Sequence, residues 1–379
     1  MKILFINLPY YGHVVPTIGL VKELIARGCE VTYILPFDWE SQIEGSGAKF
    51  CGYKNHKQLS EQMKNAYRAA ETVIDSFDLV IYEQFFFLGK HLAAKYNKPS
   101  VRVFTAPATN KELMVEFISK GPMSIFKHKW ISRAFTKDIT KGIQLKSDDW
   151  LDEIVLNPPK LNLVYTLREY QPYADDFPDE SYKFLGPSVY ERRSETFDFV
   201  KGNRTIVYVS LGTVLRGALS FFQGCIDAFR DEDVDVIISV GKDVNIARLK
   251  NVPTNVHIYN SVPQIEVLRM ADAFVTHGGM NSVSEAMTYG VPMVVIPFVS
   301  DQPVNARCVE RIGIGKKLDY SEADKISIKN AVFSIIADSE VTDNIKRVQG
   351  LIESAPGNKG GAEMIVKYYN ETADNIKKK

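Results

Sequence analysis

This 379-residue sequence lacks the features that mark secreted, membrane-spanning or nucleic-acid-binding proteins. Its four cysteines are widely scattered, with no paired spacing, which argues against a disulfide framework and a structural zinc site. No apolar run approaches the roughly 20 residues that a spanning helix needs. The 46 Lys and Arg residues balance the 46 Asp and Glu residues, so no global field attracts nucleic acid. These absences predict a soluble, cytoplasmic protein without a structural zinc site or nucleic-acid partners.

Short β-rich runs alternate with amphipathic helical stretches, and this alternation occurs in both halves of the chain. Strand and helix in alternation predict a parallel sheet covered on both faces, here twice over. The predicted strands are 2–7, 30–35, 78–82 and 100–104 in the first half, and 205–212, 233–241, 255–259, 272–279 and 292–298 in the second. The helices predicted between the strands of the first half are about 16–27, 58–75 and 86–96.

The length and this repetition predict two domains of similar α/β architecture. The first spans residues 1–195, a polar linker spans 196–203, and the second spans 204–379. We expect that the last helix of the second domain either stays with that domain or packs back on the first domain. The oligomeric state is left open between monomer and homodimer.

The segment VTHGGMNSVSEAMTYGVP, residues 275–292, places a polar cluster between a predicted strand and the helix that follows it. Ligands of open parallel sheets sit beyond the carboxyl ends of strands, and a helix N-terminus there attracts anions. Gly278 and Gly279 let the backbone approach an anion, while His277 and Ser282 add polar hydrogens. This chemistry suits a diphosphate. Glu285, one turn deeper, suits the diol of a ribose.

Residues 261–310, SVPQIEVLRMADAFVTHGGMNSVSEAMTYGVPMVVIPFVSDQPVNARCVE, resemble the donor-binding signature of nucleotide-sugar glycosyltransferases. The resemblance is closest to the bacterial macrolide and natural-product branch. It implies the GT-B fold, with two facing Rossmann-like, doubly wound domains and an interdomain cleft. It implies that the protein needs no cofactor and uses a UDP-sugar as co-substrate, for which UDP-glucose is the expected compound. The sequence departs from many relatives at Ser261, where they have a Trp that stacks on the base.

The same resemblance implies a role for individual residues of the donor site. The implied contacts are His277, Asn281, Ser282 and the Gly279 backbone for the diphosphate, Ser210 and Thr213 for phosphate from the other side, Glu285 for the ribose, Asp301 and Gln302 for the transferred sugar, and Val262 and Gln264 for the base.

A second histidine turn, NLPYYGHVVPTIGL at residues 7–20, follows the first predicted strand. Transfer of a sugar to a hydroxyl needs a general base near neutral pH, and histidine is suited to this role. The resemblance places the family's catalytic histidine at His13. Its usual carboxylate partner is an Asp after the fourth strand, where this chain has Glu83. A carboxylate there would fix the tautomer of the imidazole. The alternative is that Glu83 is a displaced or non-catalytic carboxylate.

Aromatic residues at the strand ends of the first domain predict an acceptor site for a flat, hydrophobic molecule. The predicted acceptor contacts are Tyr10, Tyr11, Phe85, Phe86 and Phe87. Residues 120–146 carry seven Lys or Arg against one Asp, with aromatics interleaved. We favour a solvated basic helical face there over an anionic membrane surface.

The predicted function is inverting transfer of a hexose, glucose from UDP-glucose, to a hydroxyl of a phenol, flavonoid, polyketide or macrolide, without metal. Three alternatives remain open from the sequence. One is a lipid or cell-envelope transferase of the same fold, and another is a GT-B epimerase of free nucleotide sugars. The third is a non-catalytic nucleotide-binding partner of another transferase, which would be indifferent to loss of His13.

Overall fold

The computed structural model describes residues 1–119, 121–189, 196–212 and 219–377. The chain divides into two compact units, one of residues 1–190 with 355–379 and the other of residues 191–354. The final helix therefore belongs to the first unit, although the sequence-based division placed it within 204–379. It packs closely there because Gly361 has no side chain, and an added Cβ would lie 2.8 Å from Leu185 and 3.3 Å from Leu20.

A parallel sheet forms the centre of the first unit. Its strands in the described residues are β1 (Lys2–Ile6), β2 (Glu30–Pro36), β3 (Lys49–Tyr53), β4 (Leu79–Glu83), β5 (Ser100–Phe104), β6 (Leu161–Val164) and β7 (Tyr182–Phe184). Their order across the sheet is β3-β2-β1-β4-β5-β6-β7, and every pairing is parallel.

Helices bury both faces of this sheet. In β1, Leu4 and Ile6 belong to one hydrophobic cluster and Ile3 and Phe5 to another, as expected for side chains that alternate between two covered faces. The helices are α1 (Tyr11–Val14), α2 (Ile18–Ala26), α3 (Glu40–Glu44), α4 (Leu59–Glu71), α5 (Leu88–Lys95), α6 (Lys111–Phe117), α7 (Lys129–Ile139), α8 (Trp150–Leu156) and, from the chain's end, Gly357–Lys377.

The second unit repeats this design with a parallel sheet of order β10-β9-β8-β11-β12-β13 in the described residues. These strands are β8 (Thr205–Ser210), β9 (Val234–Ser239), β10 (Val256–Tyr259), β11 (Ala273–Thr276), β12 (Met293–Val295) and β13 (Gly315–Lys317). Its helices are α9 (Leu219–Ala228), α10 (Gln264–Leu268), α11 (Met280–Tyr289), α12 (Gln302–Arg311), α13 (Lys325–Ala337) and α14 (Ser339–Ser354). The final helix of the chain, Gly357–Lys377, is α15 and belongs to the first unit.

Both sheets have the doubly wound strand order, so the predicted pair of parallel α/β domains is confirmed. The strand order reverses between β1 and β4 in the first unit and between β8 and β11 in the second. Such a switch point opens a crevice at the carboxyl ends of the two strands, where ligands bind. Among the described residues, no helix is long and apolar enough to cross a bilayer.

Four strands escaped the sequence-based prediction: β3, β6, β7 and β13. Two of them, β7 and β13, are only three residues long, and β3 is a partly exposed edge strand. Short strands give too few alternating positions for a periodicity signal. They are strands here because each pairs in parallel with a neighbouring strand of the sheet.

Candidate active site

The switch point of the first sheet brings His13 and Glu83 together. Glu83 is the last residue of β4, and His13 lies on α1, which follows β1. Glu83 Oε1 lies 3.1 Å from His13 Nδ1, and the Glu83 side chain is fully buried. Its other oxygen accepts a hydrogen bond from the Phe85 backbone N–H at 3.2 Å. A carboxylate this close to Nδ1 favours the tautomer with the proton on that nitrogen and the lone pair on Nε2.

A buried polar network supports the turn that carries His13, and the sequence reasoning missed it. Asn7 Nδ2 donates to the His13 carbonyl oxygen at 3.3 Å and to Thr17 Oγ1 at 3.1 Å. Thr17 Oγ1 donates to the Val14 carbonyl at 2.7 Å and lies 2.8 Å from the Tyr33 hydroxyl. Asn7, Thr17 and Tyr33 are all fully buried. Buried hydrogen bonds therefore hold the turn that carries His13, and water does not compete for these bonds.

Aromatic rings lie on both sides of the His13 imidazole. The ring of Tyr10 is 5.3 Å from it and that of Phe85 is 5.8 Å from it, centre to centre. Phe85 in turn stacks on Phe117 at 5.1 Å. The Tyr10 hydroxyl donates to Gln62 Oε1 at 3.3 Å, which holds its ring beside His13. These rings form an apolar wall next to the histidine.

The predicted acceptor contacts divide into exposed and buried residues. Tyr10 and Tyr11 are about half exposed, at 43% and 47%, and Phe85 is partly exposed. Phe86 and Phe87 are 0% and 4% exposed, and this burial argues against the prediction that they contact an acceptor. They lie in the hydrophobic core of the first unit, where Phe87 packs against Trp150. Three consecutive phenylalanines leave a strand end in different directions, and only the first remains accessible.

In the second unit, His277 follows β11 at the corresponding switch point. Its side chain is clamped between two glycines: a Cβ on Gly212 would lie 2.6 Å from the ring's Cε1, and one on Gly279 would lie 2.6 Å from Nε2. His277 is 7% exposed, and burial lowers its pKa from 6.5 to about 4. Its Nδ1 is buried without a hydrogen-bond partner among the described residues. The ring is therefore neutral near pH 7 and rigidly held.

The structure gives the glycines of the HGG sequence packing roles that the sequence reasoning did not foresee. The sequence predicts that Gly278 and Gly279 let the backbone approach an anion. Gly278 has a φ of +83°, and a Cβ there would lie 2.5 Å from Val295 Cγ1, so its conformation and its packing both require glycine. Gly279 makes room for the His277 ring and caps α11, with no side chain of its own in the cap.

The N-terminal half of α11 faces a hydrogen-bonded cluster that contains three of the predicted donor residues. Gln264 Nε2 donates to Glu285 Oε2 at 2.5 Å and to Ser282 Oγ at 3.2 Å. The Tyr208 hydroxyl donates to Gln264 Oε1 at 3.2 Å. Tyr208 is a buried residue of β8 that the sequence reasoning did not single out. The helix N-terminus itself carries about half a positive charge, which favours an anion.

The residues predicted to hold the transferred sugar also make structural contacts. Asp301 Oδ2 accepts hydrogen bonds from the Met280 backbone N–H at 3.3 Å and from Asn305 Nδ2 at 2.9 Å. Gln302 is 3% exposed, and its Oε1 accepts from the backbone N–H groups of Phe298 and Val299. The side-chain amide oxygen of Gln302 is thus already hydrogen-bonded to the loop before α12. Asp301 lies at the N-terminus of α11, beside the predicted diphosphate position.

The remaining predicted donor residues lie around the same ends of strands. Ser210 ends β8, is 6% exposed, and its Oγ accepts from the Gly212 N–H at 3.4 Å. Asn281 is partly exposed in the first turn of α11, and Val262 is partly exposed just before α10. Thr213 lies outside the described residues. Within the described ranges, no group of three or more His, Cys, Asp or Glu side chains could hold a metal ion.

The basic segment 120–146 is partly neutralised by its neighbours. Lys129 Nζ lies 2.7 Å from Asp149, and Arg133 Nε lies 2.9 Å from Asp148. Trp130, on the same helix α7, is 72% exposed. Since acidic side chains of residues 148–149 already pair with two of the cations, this helix presents less positive charge than the sequence count suggests.

Comparisons with known proteins agree with this geometry. The family model described as UDP-glucoronosyl and UDP-glucosyl transferase matches residues 189–358. The NDP-glycosyltransferase YjiC of Bacillus licheniformis is 32% identical over 95% of both chains. The structure of the glycosyltransferase of kitacinnamycin matches with a TM-score of 0.83 and 27% identity, covering 97% of this chain and 98% of that one. CalG4, the calicheamicin glycosyltransferase, matches with a TM-score of 0.81 and 29% identity, covering 98% and 99%. The predicted GT-B fold is confirmed.

Proposed function

The chain belongs to the family of UDP-glucuronosyl and UDP-glucosyl transferases, and we propose that it is an inverting glucosyltransferase that uses UDP-glucose. The acceptor is a hydroxyl of a hydrophobic small molecule such as a phenol, flavonoid, polyketide or macrolide. The observation that carries this proposal is the contact between His13 Nδ1 and the buried Glu83 carboxylate, 3.1 Å apart at a switch point. A buried carboxylate behind a partly exposed imidazole is the arrangement of a general base.

In the proposed reaction, His13 Nε2 removes the proton of the acceptor hydroxyl as its oxygen attacks C1 of the glucose. The bond from C1 to the phosphate oxygen breaks, and UDP leaves with the electron pair. An α-linked donor attacked from the opposite face yields a β-glycoside. Glu83 stabilises the imidazolium that forms during transfer. Base catalysis of this kind contributes roughly 10²- to 10⁴-fold to the rate.

The leaving diphosphate gains negative charge on departure, and the second unit supplies the groups to bind it. We assign it to the N-terminus of α11, with His277, Asn281, Ser282 and the Gly279 backbone as contacts. The helix dipole and oriented N–H groups stabilise such charge without a metal ion. His277, held neutral by burial, donates one N–H rather than a full charge. Ser210 and Thr213 are the proposed contacts from the other side.

The nucleoside and the sugar have separate proposed contacts. Glu285 binds the ribose diol, because a carboxylate accepts hydrogen bonds from two neighbouring hydroxyls. Val262 and Gln264 border the base. Asp301 and Gln302 are proposed to bind hydroxyls of the glucose. Ser261, which is exposed, offers no ring for stacking, so we expect weaker selection among bases than in relatives with Trp.

The acceptor is proposed to lie against the aromatic wall beside His13. Tyr10 and Phe85 flank the imidazole, and both offer accessible ring surface. A flat apolar molecule packed there brings one of its hydroxyls to Nε2. The similarity to the calicheamicin glycosyltransferase CalG4 and to the glycosyltransferase of kitacinnamycin supports acceptors of this class.

The test is UDP release and product mass with UDP-glucose and a mixed panel of phenolic and polyketide acceptors. His13→Ala is compared with His128→Ala, an exposed histidine of the same unit whose side chain caps no helix. A hexose added to an acceptor, retained in His128→Ala and lost in His13→Ala, supports the proposal. Acceptor-independent conversion of the donor indicates an epimerase. Binding that never leads to UDP release indicates a non-catalytic partner.

The envelope-transferase alternative is tested by sedimentation with vesicles that contain anionic lipid. Since Lys129 and Arg133 are paired with Asp149 and Asp148, we expect no binding at physiological salt. Binding that Trp130→Ala abolishes would instead point to a lipid-linked acceptor.

A further inference from the structure

The hydrogen bonds around Gln264 form a chain with only one consistent direction. Glu285, when ionised, can only accept hydrogen bonds, so the atom of Gln264 that lies 2.5 Å from it must be the NH₂ group. The carbonyl oxygen of the same amide then faces Tyr208, 3.2 Å away, and must accept. The Tyr208 hydroxyl is therefore the donor. Reversing any link would place two acceptors against each other.

Tyr208 is well suited to fix this direction because it does not move. It is 1% exposed, and its ring stacks on Phe274 with 4.7 Å between centres and 11° between planes. Burial raises the pKa of its hydroxyl, so it stays protonated and remains a donor. The hydroxyls of Ser210 and Ser239, at paired positions of β8 and β9, interact with the phenolic oxygen and counter part of that rise.

Gln264 is less constrained by packing than Tyr208. It begins the five-residue helix α10, is partly exposed, and has no cap of its own at the preceding Pro263. An amide in such a position can rotate by a half turn at little steric cost. The rotated form would present its carbonyl oxygen to the carboxylate of Glu285 and to Ser282. Glu285 disfavours that rotation because two acceptors would meet, and the hydroxyl of Tyr208, a donor to the Gln264 carbonyl oxygen, stabilises the observed orientation from the other side.

We propose that Tyr208 is a positioning residue for nucleotide recognition: its hydroxyl sets the orientation of the Gln264 amide, which in turn holds Glu285 for the ribose. This rests on the proposed function, in which Glu285 binds the ribose diol. Tyr208 itself is not expected to touch the nucleotide. Its loss should therefore weaken recognition of the ribose hydroxyls. Any accompanying change at Ser210 or Ser282, which interact with Tyr208 and Gln264, should alter the affinity for ribo- and deoxyribonucleotide diphosphates equally.

The experiment measures the dissociation constants of UDP and 2′-deoxyuridine 5′-diphosphate by calorimetry, and their ratio reports the ribose contact. In Tyr208→Phe the ring and its stacking on Phe274 stay, and we expect the preference for UDP to fall about three- to tenfold. In Gln264→Ala it should fall at least as far. Adding Tyr208→Phe to Gln264→Ala should cause no further fall, because the two residues act through one link.

Tyr165→Phe is the matched control, since it also removes a buried tyrosine hydroxyl, one with no hydrogen-bond partner among the described residues. It should leave the ratio unchanged. If Tyr208→Phe folds poorly, Gln264→Glu tests the same link. That variant keeps an acceptor for Tyr208 but faces Glu285 with a like charge, so the ratio should again fall.

The outcomes separate the inference from the function on which it rests. A wild-type protein that binds neither nucleotide overturns both. A protein that prefers UDP, loses that preference in Gln264→Ala and keeps it in Tyr208→Phe overturns the inference alone. Equal additive losses in the double variant also overturn it, because they indicate that Tyr208 acts through packing rather than through Gln264.

Discussion

The glycine clamp on His277 provides the sharpest test of the donor site. In Gly279→Ala the backbone is not strained, because Gly279 has φ −63° and ψ 140°, which alanine adopts readily. The new Cβ would lie 2.6 Å from His277 Nε2, about 0.8 Å short of an ordinary van der Waals contact of 3.4 Å. The imidazole must therefore shift or tilt, and its polar hydrogen moves away from the proposed phosphate position.

The magnitude follows from the lost contact. A hydrogen bond to a charged group contributes about 1.5–3 kcal/mol, so the dissociation constant for UDP should rise about 10- to 150-fold. The free energy of unfolding should fall by only about 1 kcal/mol, because alanine is a poorer helix cap than glycine. Calorimetric titration with UDP and urea unfolding measure the two quantities separately.

The matched control is Gly224→Ala, on α9 of the same unit, where a Cβ meets nothing within 4 Å. It should leave UDP binding unchanged and stabilise the helix, since alanine is favoured over glycine by about 1 kcal/mol. If Gly279→Ala binds UDP as tightly as the wild type, His277 is not a phosphate contact and the assignment of this site fails.

Three further predictions concern the base, the buried histidine and the support of the turn. Glu83→Gln should lower kcat roughly 10²- to 10⁴-fold while UDP binding by calorimetry stays constant; an unchanged kcat would refute the role of Glu83. Because the pKa of His277 is about 4 when folded and 6.5 ordinarily, the unfolded chain takes up the proton first as pH falls. The free energy of unfolding should therefore have its full value above pH 6.5 and decline by up to about 3 kcal/mol towards pH 4. If urea unfolding shows the same loss of stability with falling pH in the wild type and in His277→Gln, this prediction is contradicted. Thr17→Val breaks the link from Asn7 to Tyr33, so kcat should fall more than KM rises, whereas Tyr33→Phe, which keeps the link to Asn7, should do less; equal kinetics for both would refute the positioning role.

The amino-acid sequence alone was enough to predict the strands that form the centre of each sheet, the helix α11 and the family. Central strands are continuous apolar runs bounded by turns, and their signal is local. The proposed donor residues from His277 to Glu285 lie in the turn after β11 and in α11, so their spacing already places them at a helix N-terminus. The same holds for His13, which follows the first strand directly. Edge strands such as β3 were missed because they are short and partly exposed.

Only the tertiary structure decided contacts between residues that are distant along the chain. It brought Glu83 to 3.1 Å from His13, and it buried Phe86 while leaving Phe85 accessible. It also linked Tyr208 to Gln264 across 56 positions. The physical reason is that side-chain direction at a strand end depends on which helices cover the sheet. Hydrogen-bond partners depend on which strands pair. A local sequence pattern predicts neither the direction of a side chain nor its hydrogen-bond partner.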